Sequence, residues 1–580
     1  MRLRAIALDY DGTIATDGVL HSGVRESIRQ ARQRGLVVVI VTGRILSDLH
    51  RVAGGLDFVD GIVAENGAVV SLPNGYVASL GQEPPVSLLT ELTGQGINFH
   101  VGRCVVEMDA AFARVAISLI RKLELPLAVE FNRSRMMLLP ASISKSSGLR
   151  ELLDILGVSL HNTVGIGDAE NDHGLISSCE YGVAVEWGSY LLKQKADHVI
   201  SGNGPEAVAA YIRELSSRLR LSHAFETSAR REIVLEVKER QPALEVAIRG
   251  RNALIAGDSK SGKSCLAGLL CEQMILKGYT VYVFDPEGDY DSLATLPNTI
   301  MLGAGSLLPR FEDLKMLLPQ GLSIVLNLSH LGQEEKKAYI WQHLPIVSQY
   351  RRRRGYPHRV LLDECQYFFD RPESDQLLDA QLESYTLVTY RPSQLAQNIR
   401  QSMDVVLATR LTTKAEVDSL RSIAGANMTH SDWYEPLANL GREEAALLPP
   451  TEEAHGEVRP FHMVPRLTQH VRHQTKYFDI PVSARNAFVF TENGKPLGAP
   501  ASTLRELAER VKRSGSHVVE GHFRRHDFSR WIADQFGDSE LAKTVRALES
   551  EYGANAIGEK ARDELAAAID QRYESDSERF

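Results

Sequence analysis

The run Asp9-Tyr10-Asp11-Gly12-Thr13 stands at the end of an apolar stretch, Arg4-Ala5-Ile6-Ala7-Leu8, that reads as a buried strand. In an open α/β sheet the C-terminal end of a strand is where chemistry is done. Two carboxylates there, with one residue between them and a glycine turn behind, suit a nucleophile and a neighbouring acid or base. Comparable strand ends recur. Thr42-Gly43-Arg44 closes the strand pattern over residues 36–41, and residues 60–67 carry Asp60, Glu65, Asn66 and Gly67 on another strand end. Val164-Gly165-Ile166-Gly167-Asp168 with Asn171-Asp172 forms a second acidic end, and Ser144-Lys145-Ser146-Ser147-Gly148 opens a helix. Each acidic pair alone also fits an N-cap or a solvated turn, so one pair by itself leaves both readings open.

A different signal lies near the middle. Gly257-Asp258-Ser259-Lys260-Ser261-Gly262-Lys263-Ser264 fits the G-x-x-x-x-G-K-[ST] spacing at every fixed position. A short apolar strand over residues 252–256 enters it, and a helix over 265–277, stopped by Gly278, leaves it. The glycines let backbone N–H groups curl round a phosphate, and the helix N-terminus adds positive potential. Lys263 reaches outer phosphates and the Ser264 hydroxyl suits Mg²⁺. Tyr279-Thr-Val-Tyr-Val-Phe284 is a second strand, ending in Asp285-Pro286-Glu287-Gly288-Asp289-Tyr290. A third, Arg359-Val360-Leu361-Leu362, ends in Asp363-Glu364, where Asp363 orients Mg²⁺ and Glu364 polarises an attacking water. Residues 385–389 and 405–410 supply two more strands, leading to Tyr390-Arg391-Pro392-Ser393 and ending in Arg410.

A chain of 580 residues needs roughly three or four domains to hold these strands. Lys+Arg 65 against Asp+Glu 74 gives a formal charge of −9, so no global basic field advertises nucleic acid or a lipid surface. Five cysteines without a C-x-x-C pair indicate reduced thiols and a cytoplasmic protein. The apolar run Val37–Val41 is far too short to span a membrane, and no signal peptide precedes the first strand. Residues 83–140 are more than a crossover needs and read as a mixed strand-and-helix insert, in which His100, Arg103 and Arg133 are weak substrate-recognition candidates. A polar linker is expected over 215–230 and a basic connector over 466–477, followed by a strand and turn and then helices. The run Arg351-Arg352-Arg353-Arg354 reads first as a solvated helix end and second as a nucleic-acid contact. His517, His522, His526 and Asp527 lack compact metal-ligand spacing, while Phe528 and Trp531 anchor a core.

With all four of its motifs present in order, the stretch from residue 1 to about 215 resembles the haloacid-dehalogenase (HAD) superfamily of phosphatases, in its Cof-type branch. The resemblance implies that Asp9 attacks phosphorus, that Asp11 protonates the leaving group and then activates water, that Thr42 binds a phosphoryl oxygen and that Lys145 neutralises charge. It also implies Mg²⁺ held by Asp9, Asp11 through its carbonyl, Asp168 and Asp172. A dianionic phosphate cannot approach these carboxylates unless a cation and a lysine offset the repulsion. The insert corresponds to the family's cap, and its short length favours a small phosphorylated substrate such as a sugar phosphate or a phosphoglycolate-like acid.

Residues 240 to about 425 resemble the HerA/FtsK-type P-loop ATPases. The resemblance implies a RecA-like core that hydrolyses ATP at subunit interfaces of a homo-oligomer, a hexamer in many such motors, with Arg391 or Arg410 as arginine finger. The ATP set is Gly257, Lys260, Gly262, Lys263, Ser264 and Arg391, with Ser264 and Asp363 toward Mg²⁺ and Glu364 catalytic. Tyr390 stands where such motors carry a sensor glutamine, and the phosphatase-like domain takes the place of the β-barrel that often precedes the motor core. The expected fold is therefore α/β throughout: a HAD Rossmann-like core (1–82 and 141–220) with a small α/β cap (83–140), a RecA-like P-loop domain (221–465) and a small, mostly helical C-terminal domain (466–580). The leading functional expectation is a Mg²⁺-dependent phosphatase fused to an ATPase. The alternative is an ATP-driven nucleic-acid motor or remodeller with an accessory phosphatase head.

Overall fold

The computed structural model describes residues 2–132, 134–218, 231–238, 242–303, 308–369, 377–379, 382–424, 433–449, 457–468, 487–492, 495–536, 539–552 and 559–574. Arg133, most of the expected linker (219–230) and most of the basic connector (469–477) lie outside the described residues.

The N-terminal sheet has eight strands in the order His198–Ile200, Tyr181–Val185, Thr163–Gly167, Ala5–Asp9, Val37–Val41, Gly61–Ala64, Val69–Ser71 and Val77–Ser79. The first six run parallel and the last two form an antiparallel meander. Its central strands are apolar at nearly every position because helices cover both faces. Helices Ser22–Gln33 and Gly204–Arg218 pack together on one face, and Lys145–Leu156 lies on the other. Helix Gly204–Arg218 continues through residue 218, so residues 215–218 are not linker: Leu215 and Ser216 pack into the core.

The insert between Ser79 and Lys145 folds as a separate four-stranded antiparallel sheet, ordered Leu127–Asn132, Arg135–Pro140, Val106–Asp109 and Phe99–Val101. Helices Val86–Gly94 and Ala113–Lys122 cover one face around Leu88, Leu92, Met108 and Leu119.

The second large sheet has nine strands, ordered Thr299–Gly303, Ser323–Asn327, Val281–Asp285, Arg359–Leu362, Tyr385–Thr389, Ala253–Ala256, Val405–Ala408, Glu444–Leu447 and Arg459–His462. Seven run parallel and the last two close the edge antiparallel. Helix Lys263–Leu276 begins two residues before the expected start, with the lysine in its first turn. After Thr491–Glu492 and its partner Lys495–Pro496, helices Leu504–Arg513, Ser516–Arg524, Asp527–Trp531, Ser539–Tyr552 and Glu559–Glu574 enclose a core containing Phe488, Phe523 and Phe528.

One peripheral expectation changes, that of Arg351 as part of a solvated helix end. The histidines near 517–526 are separately engaged by carboxylates: His517 with Glu492, His522 with Asp527, and His526 with Glu549. They form no shared ligand set. The four-arginine run ends helix Gln333–Arg354, and Arg352, Arg353 and Arg354 are exposed, but Arg351 turns inward and is 4% exposed. All five cysteines are free. Among the described residues, no helix is long and apolar enough to cross a membrane.

Candidate active sites

The parallel register brings the first constellation together. Asp9 ends the strand that pairs Leu8 with Ile166 on one side and itself with Val41 on the other. Thr42 and Asp168 therefore emerge beside Asp9, one residue past the ends of the neighbouring strands. Lys145 arrives from a helix whose start is fixed by a capping box: Ser144 accepts from the Ser147 N–H, and Ser147 Oγ accepts from the Ser144 N–H. The lysine Nζ then donates to Asp9 Oδ1 and Asp172 Oδ1, both at 2.6 Å. Asp172 is aimed by the N–H groups of Asp168 and Ala169, which donate to its Oδ2 at 3.0 Å.

These groups are dry: Asp9 is 4% exposed, Lys145 3%, Asp168 2% and Asp172 0%. Burial, then the neighbouring Asp172, pushes the Asp9 carboxyl well up, with Lys145 opposing. Burial alone pulls Lys145 down, but Asp172 and Asp9 outweigh it and hold the ammonium above its ordinary range. Asp9, Asp168 and Asp172 each offer an oxygen, all within 4.8 Å of one another. Three carboxylates around one ammonium leave a negative excess in a buried space, and that donor set fits a hard divalent cation. Gly12 is required beside them. Its φ is +82°, and a Cβ there stands 2.3 Å from Asp168 Oδ2.

Asp11 is placed differently. Both its oxygens accept from Arg44, Oδ2 from Nε at 2.6 Å and Oδ1 from Nη2 at 2.7 Å, while Arg44 Nη1 donates to Asp48 at 2.8 Å. Thr42 is 1% exposed and its hydroxyl accepts from the Arg44 N–H. The insert covers this site. Glu65, buried and at φ +53°, accepts the N–H groups of Arg103 and Cys104 at 3.0 Å each, tying the insert's loop to the core. Asn66 donates to Met137 Sδ of the insert at 3.5 Å. From strand Leu127–Asn132 comes Glu130, whose Oε2 is buried without a hydrogen bond. Burial pushes its carboxyl up, Lys145 pulls it down and Asp172 pushes it up, which places it within electrostatic reach of the acid cluster. His100 and Arg103 have exposed side chains.

The glycine-rich loop follows strand Ala253–Ala256, flanked by Tyr385–Thr389 and Val405–Ala408. Gly257 admits no side chain, since a Cβ there stands 1.9 Å from Thr409 Oγ1. Gly262, at φ +105°, would set one 2.9 Å from Arg442 O. The cradle thus requires glycine at both ends, as a phosphate seat of backbone N–H groups does, and the donors present fit a nucleotide. Lys263 Nζ donates to Asp258 O at 3.0 Å, Lys260 Nζ to Gln535 O of the C-terminal helices at 3.0 Å, and Ser264 Oγ to Asp289 Oδ2 at 2.8 Å. Asp285 accepts the N–H groups of residues 287–290 and shapes that loop, and burial, then Asp289, pushes its carboxyl up to about 7.

Asp363 and Glu364 lie at the end of strand Arg359–Leu362, and the Glu364 N–H donates to Asp363 Oδ1. Glu364 Oε2 accepts from Gln366 Nε2 at 2.7 Å, and Gln366 Oε1 accepts from Thr389 Oγ1 at 2.7 Å. Gln366 thus puts a glutamine amide between the acidic strand end and the end of the strand that leads to Tyr390. Arg391 is exposed, its guanidinium 5.4 Å from the Tyr390 ring centroid, and the Arg410 carbonyl accepts the Asp258 N–H. Asp289 belongs to the Asp285–Tyr290 run noted in the sequence, without a role of its own there, and Gln366, Thr409 and Glu130 carry no sequence-based role. Thr409 had a usable signal, a hydroxyl ending a strand of the same set, whereas Gln366 and Glu130 had none.

Residues 6–87 and 107–212 match the family described as haloacid dehalogenase-like hydrolase, and residues 245–341 match the central domain of helicase HerA. A phosphoglycolate phosphatase of Methanosarcina acetivorans is 31% identical over 230 residues, covering 36% of this chain and 96% of the relative. A 5-amino-6-(5-phospho-D-ribitylamino)uracil phosphatase of Bacillus subtilis is 26% identical over 243 residues, covering 36% of this chain and 95% of the relative. A haloacid dehalogenase-like hydrolase structure from Bacteroides thetaiotaomicron aligns with TM-score 0.34 at 19% identity, over 37% of this chain and 100% of that one. The buried Asp9–Lys145–Asp172 cluster lies inside the matched segments, and through them the chain belongs to the haloacid dehalogenase-like hydrolases, with a HerA-type domain following in the same polypeptide.

Proposed function

We propose that the N-terminal domain is a phosphomonoester hydrolase working through an aspartyl-phosphate on Asp9, and that the following domain binds and hydrolyses ATP. The observation that carries the first part is the buried Lys145 ammonium shared between Asp9 and Asp172. Asp9 Oδ2 is not engaged by Lys145, so that oxygen is the one to attack phosphorus. Lys145 stays on Oδ1 and holds the carboxylate in line while charge builds on the phosphoryl oxygens. The Thr42 hydroxyl, set at the adjacent strand end, hydrogen-bonds one of those oxygens. Asp9, Asp168, Asp172 and the Asp11 carbonyl would hold Mg²⁺, which would supply the positive charge a dianion needs to approach three carboxylates. Asp11 must hand a proton to the leaving oxygen, yet both its oxygens are occupied by Arg44. Substrate binding therefore has to draw Arg44 off, its guanidinium turning to the phosphate as Asp11 is released.

The substrate class follows from the insert acting as cap. Glu130 brings an acceptor without a donor toward the acid cluster, so the part of the substrate beyond the phosphate carries hydrogen-bond donors. A phosphorylated polyol or sugar suits it, and a second carboxylate, as in phosphoglycolate, meets like charge. In the ATPase-type domain, Lys263 and Ser264 would take the outer phosphates and Mg²⁺, Asp363 would orient the cation and Glu364 would position the attacking water. A homo-oligomer, with Arg391 or Arg410 completing a neighbour's site, and a cytoplasmic location belong to the same reading. A second reading, a nucleic-acid translocase with an accessory phosphatase head, draws on the match to the helicase HerA central domain.

The test is a screen of the full chain against sugar phosphates, phosphoglycolate and nucleotides, with and without ATP, alongside Asp9→Asn. Loss of Mg²⁺-dependent phosphate release in Asp9→Asn with retained ATP binding is expected. Unchanged release removes the nucleophile assignment. Stimulation of ATP turnover by DNA or RNA favours the translocase, and no stimulation counts against it.

A further inference from the structure

The two large domains meet on a polar face that neither active site uses. Glu180, fully buried, accepts from Tyr279 Oη at 2.9 Å and lies 2.8 Å from His161 Nδ1 and 3.2 Å from Arg249 Nη1. The His161 and Tyr279 rings stack at 3.8 Å, and His358 meets them edge-on at 5.4 and 5.5 Å. Beside this cluster opens a small cleft lined by Asn162, Glu180, Arg249, Tyr279, Arg351 and His358.

Arg351 is the anomaly. Its Nε donates to Pro357 O and its Nη2 to Glu383 O, both at 2.8 Å, and its guanidinium lies 4.7 Å from the Tyr385 ring centroid. Its Nη1 is buried without a hydrogen bond. Glu180 is taken up by other cations, and no carboxylate of the described residues makes an ion pair with Arg351. A buried guanidinium with no ion-pair partner and one N–H unmet is costly, because burial removes its hydration and the more distant Asp379 and Glu383 offset that only in part. Consistent with that, burial lowers the Arg351 pKa.

Two more polar atoms at the cleft are unmet. His358 Nδ1 accepts the Thr280 N–H at 2.8 Å, which leaves the ring proton on Nε2, and Nε2 is buried without a partner. Asn162 donates through Nδ2 to Arg2 O at 2.9 Å and Gly355 O at 3.4 Å, but its Oδ1 has no partner. A guanidinium N–H and an imidazole N–H without acceptors, lining one small cleft, call for oxygen atoms bearing negative charge.

We infer that this cleft binds a small oxyanion, a phosphate or a carboxylate, held by Arg351 Nη1 and His358 Nε2 at the junction of the two domains. The place is distinct from both active sites, since it lies at the opposite ends of their strands. His358 precedes strand Arg359–Leu362, which ends before Asp363, and Asn162 precedes strand Thr163–Gly167, which ends before Asp168. An anion here bridges the two domains and sets how firmly they are docked.

The test is equilibrium dialysis of the full chain with radiolabelled inorganic phosphate and, separately, malonate, in a Lys145→Ala/Lys263→Ala background that removes the cations of the two catalytic phosphate sites. One saturable site is expected, and the tighter of the two ions identifies the source chemistry. Arg351→Met weakens it by about tenfold to a hundredfold, the usual worth of a charged hydrogen bond, and Arg351→Lys by less. If the background variant does not fold, melting of the otherwise native chain decides. The anion then raises the melting temperature of the native chain more than that of Arg351→Met, and Arg351→Met melts no lower than native in anion-free buffer. Absence of saturable binding by either ion, undiminished binding in Arg351→Met, or equal anion effects on the two melting temperatures overturns the inference.

Discussion

Replacing Lys145 by methionine keeps most of the side chain's unbranched apolar stem and removes its charge and donors. The ammonium sits at 2.6 Å from Asp9 and from Asp172, with both carboxylates and Asp168 buried. Its loss leaves three acidic groups, within 4.8 Å of one another, with no ammonium between them. Removing one partner of a buried pair costs about 3–5 kcal/mol, because the remaining charge can neither hydrate nor pair. For a unit of roughly 200 residues, each kcal/mol moves the midpoint by about 2–4 °C, so the phosphatase domain should melt about 6–20 °C lower in metal-free buffer. Millimolar Mg²⁺ should restore part of the loss, since a divalent cation answers the same negative excess. In kcat the variant should fall by about a hundredfold to a thousandfold, as for removal of a preorganised group facing developing negative charge. Calorimetry of the full chain with and without Mg²⁺, following the transition that Asp9→Asn also shifts, reads this out. An unshifted transition in metal-free buffer refutes the account of Lys145 as the cluster's counter-charge.

Other outcomes follow from the same geometry. Lys263→Ala should abolish ATP turnover, measured as phosphate release, and full phosphatase activity in that variant shows that the two sites are not obligatorily coupled. Gly12→Ala should destabilise the phosphatase domain by at least about 1–3 kcal/mol in denaturant unfolding, because φ +82° disfavours a side chain and the Cβ meets Asp168 Oδ2 at 2.3 Å. A native-like midpoint counts against the turn as drawn. Glu130→Gln should shift kcat/KM toward phosphoglycolate relative to a sugar phosphate, by about tenfold if one charged hydrogen bond is exchanged for relief of repulsion. An unchanged ratio removes Glu130 from the substrate's surroundings.

Much of this was readable along the chain because a parallel sheet puts one kind of information in one kind of place. A strand that is apolar throughout and stops at Asp9, Thr42 or Asp168 announces its working end, and the capped helix start at Ser144 announces Lys145. The same holds for the loop Gly257–Ser264, whose glycines, lysine and serine are local in sequence. The reading was weaker where side chains from distant segments meet. The linker expected from residue 215 is helix to residue 218, because Leu215 and Ser216 find a core that local polarity did not reveal. Arg351 stands within a run that reads as solvated, and it is buried because it turns inward onto Pro357 O, Glu383 O and the Tyr385 ring, from segments its own spacing does not reveal.

By itself, the sequence determined two phosphate-handling sites in order, because the chemistry of each resides in short motifs at strand ends and helix starts, where backbone geometry follows from local residue types. The tertiary structure decided what those motifs touch. Asp11 is held by Arg44, Glu65 fastens the cap, Gln366 joins Glu364 to Thr389, and Arg351 faces the cleft between domains. Each of those contacts joins residues whose neighbourhood is set by sheet register and domain packing. No spacing along the chain encodes such a distance.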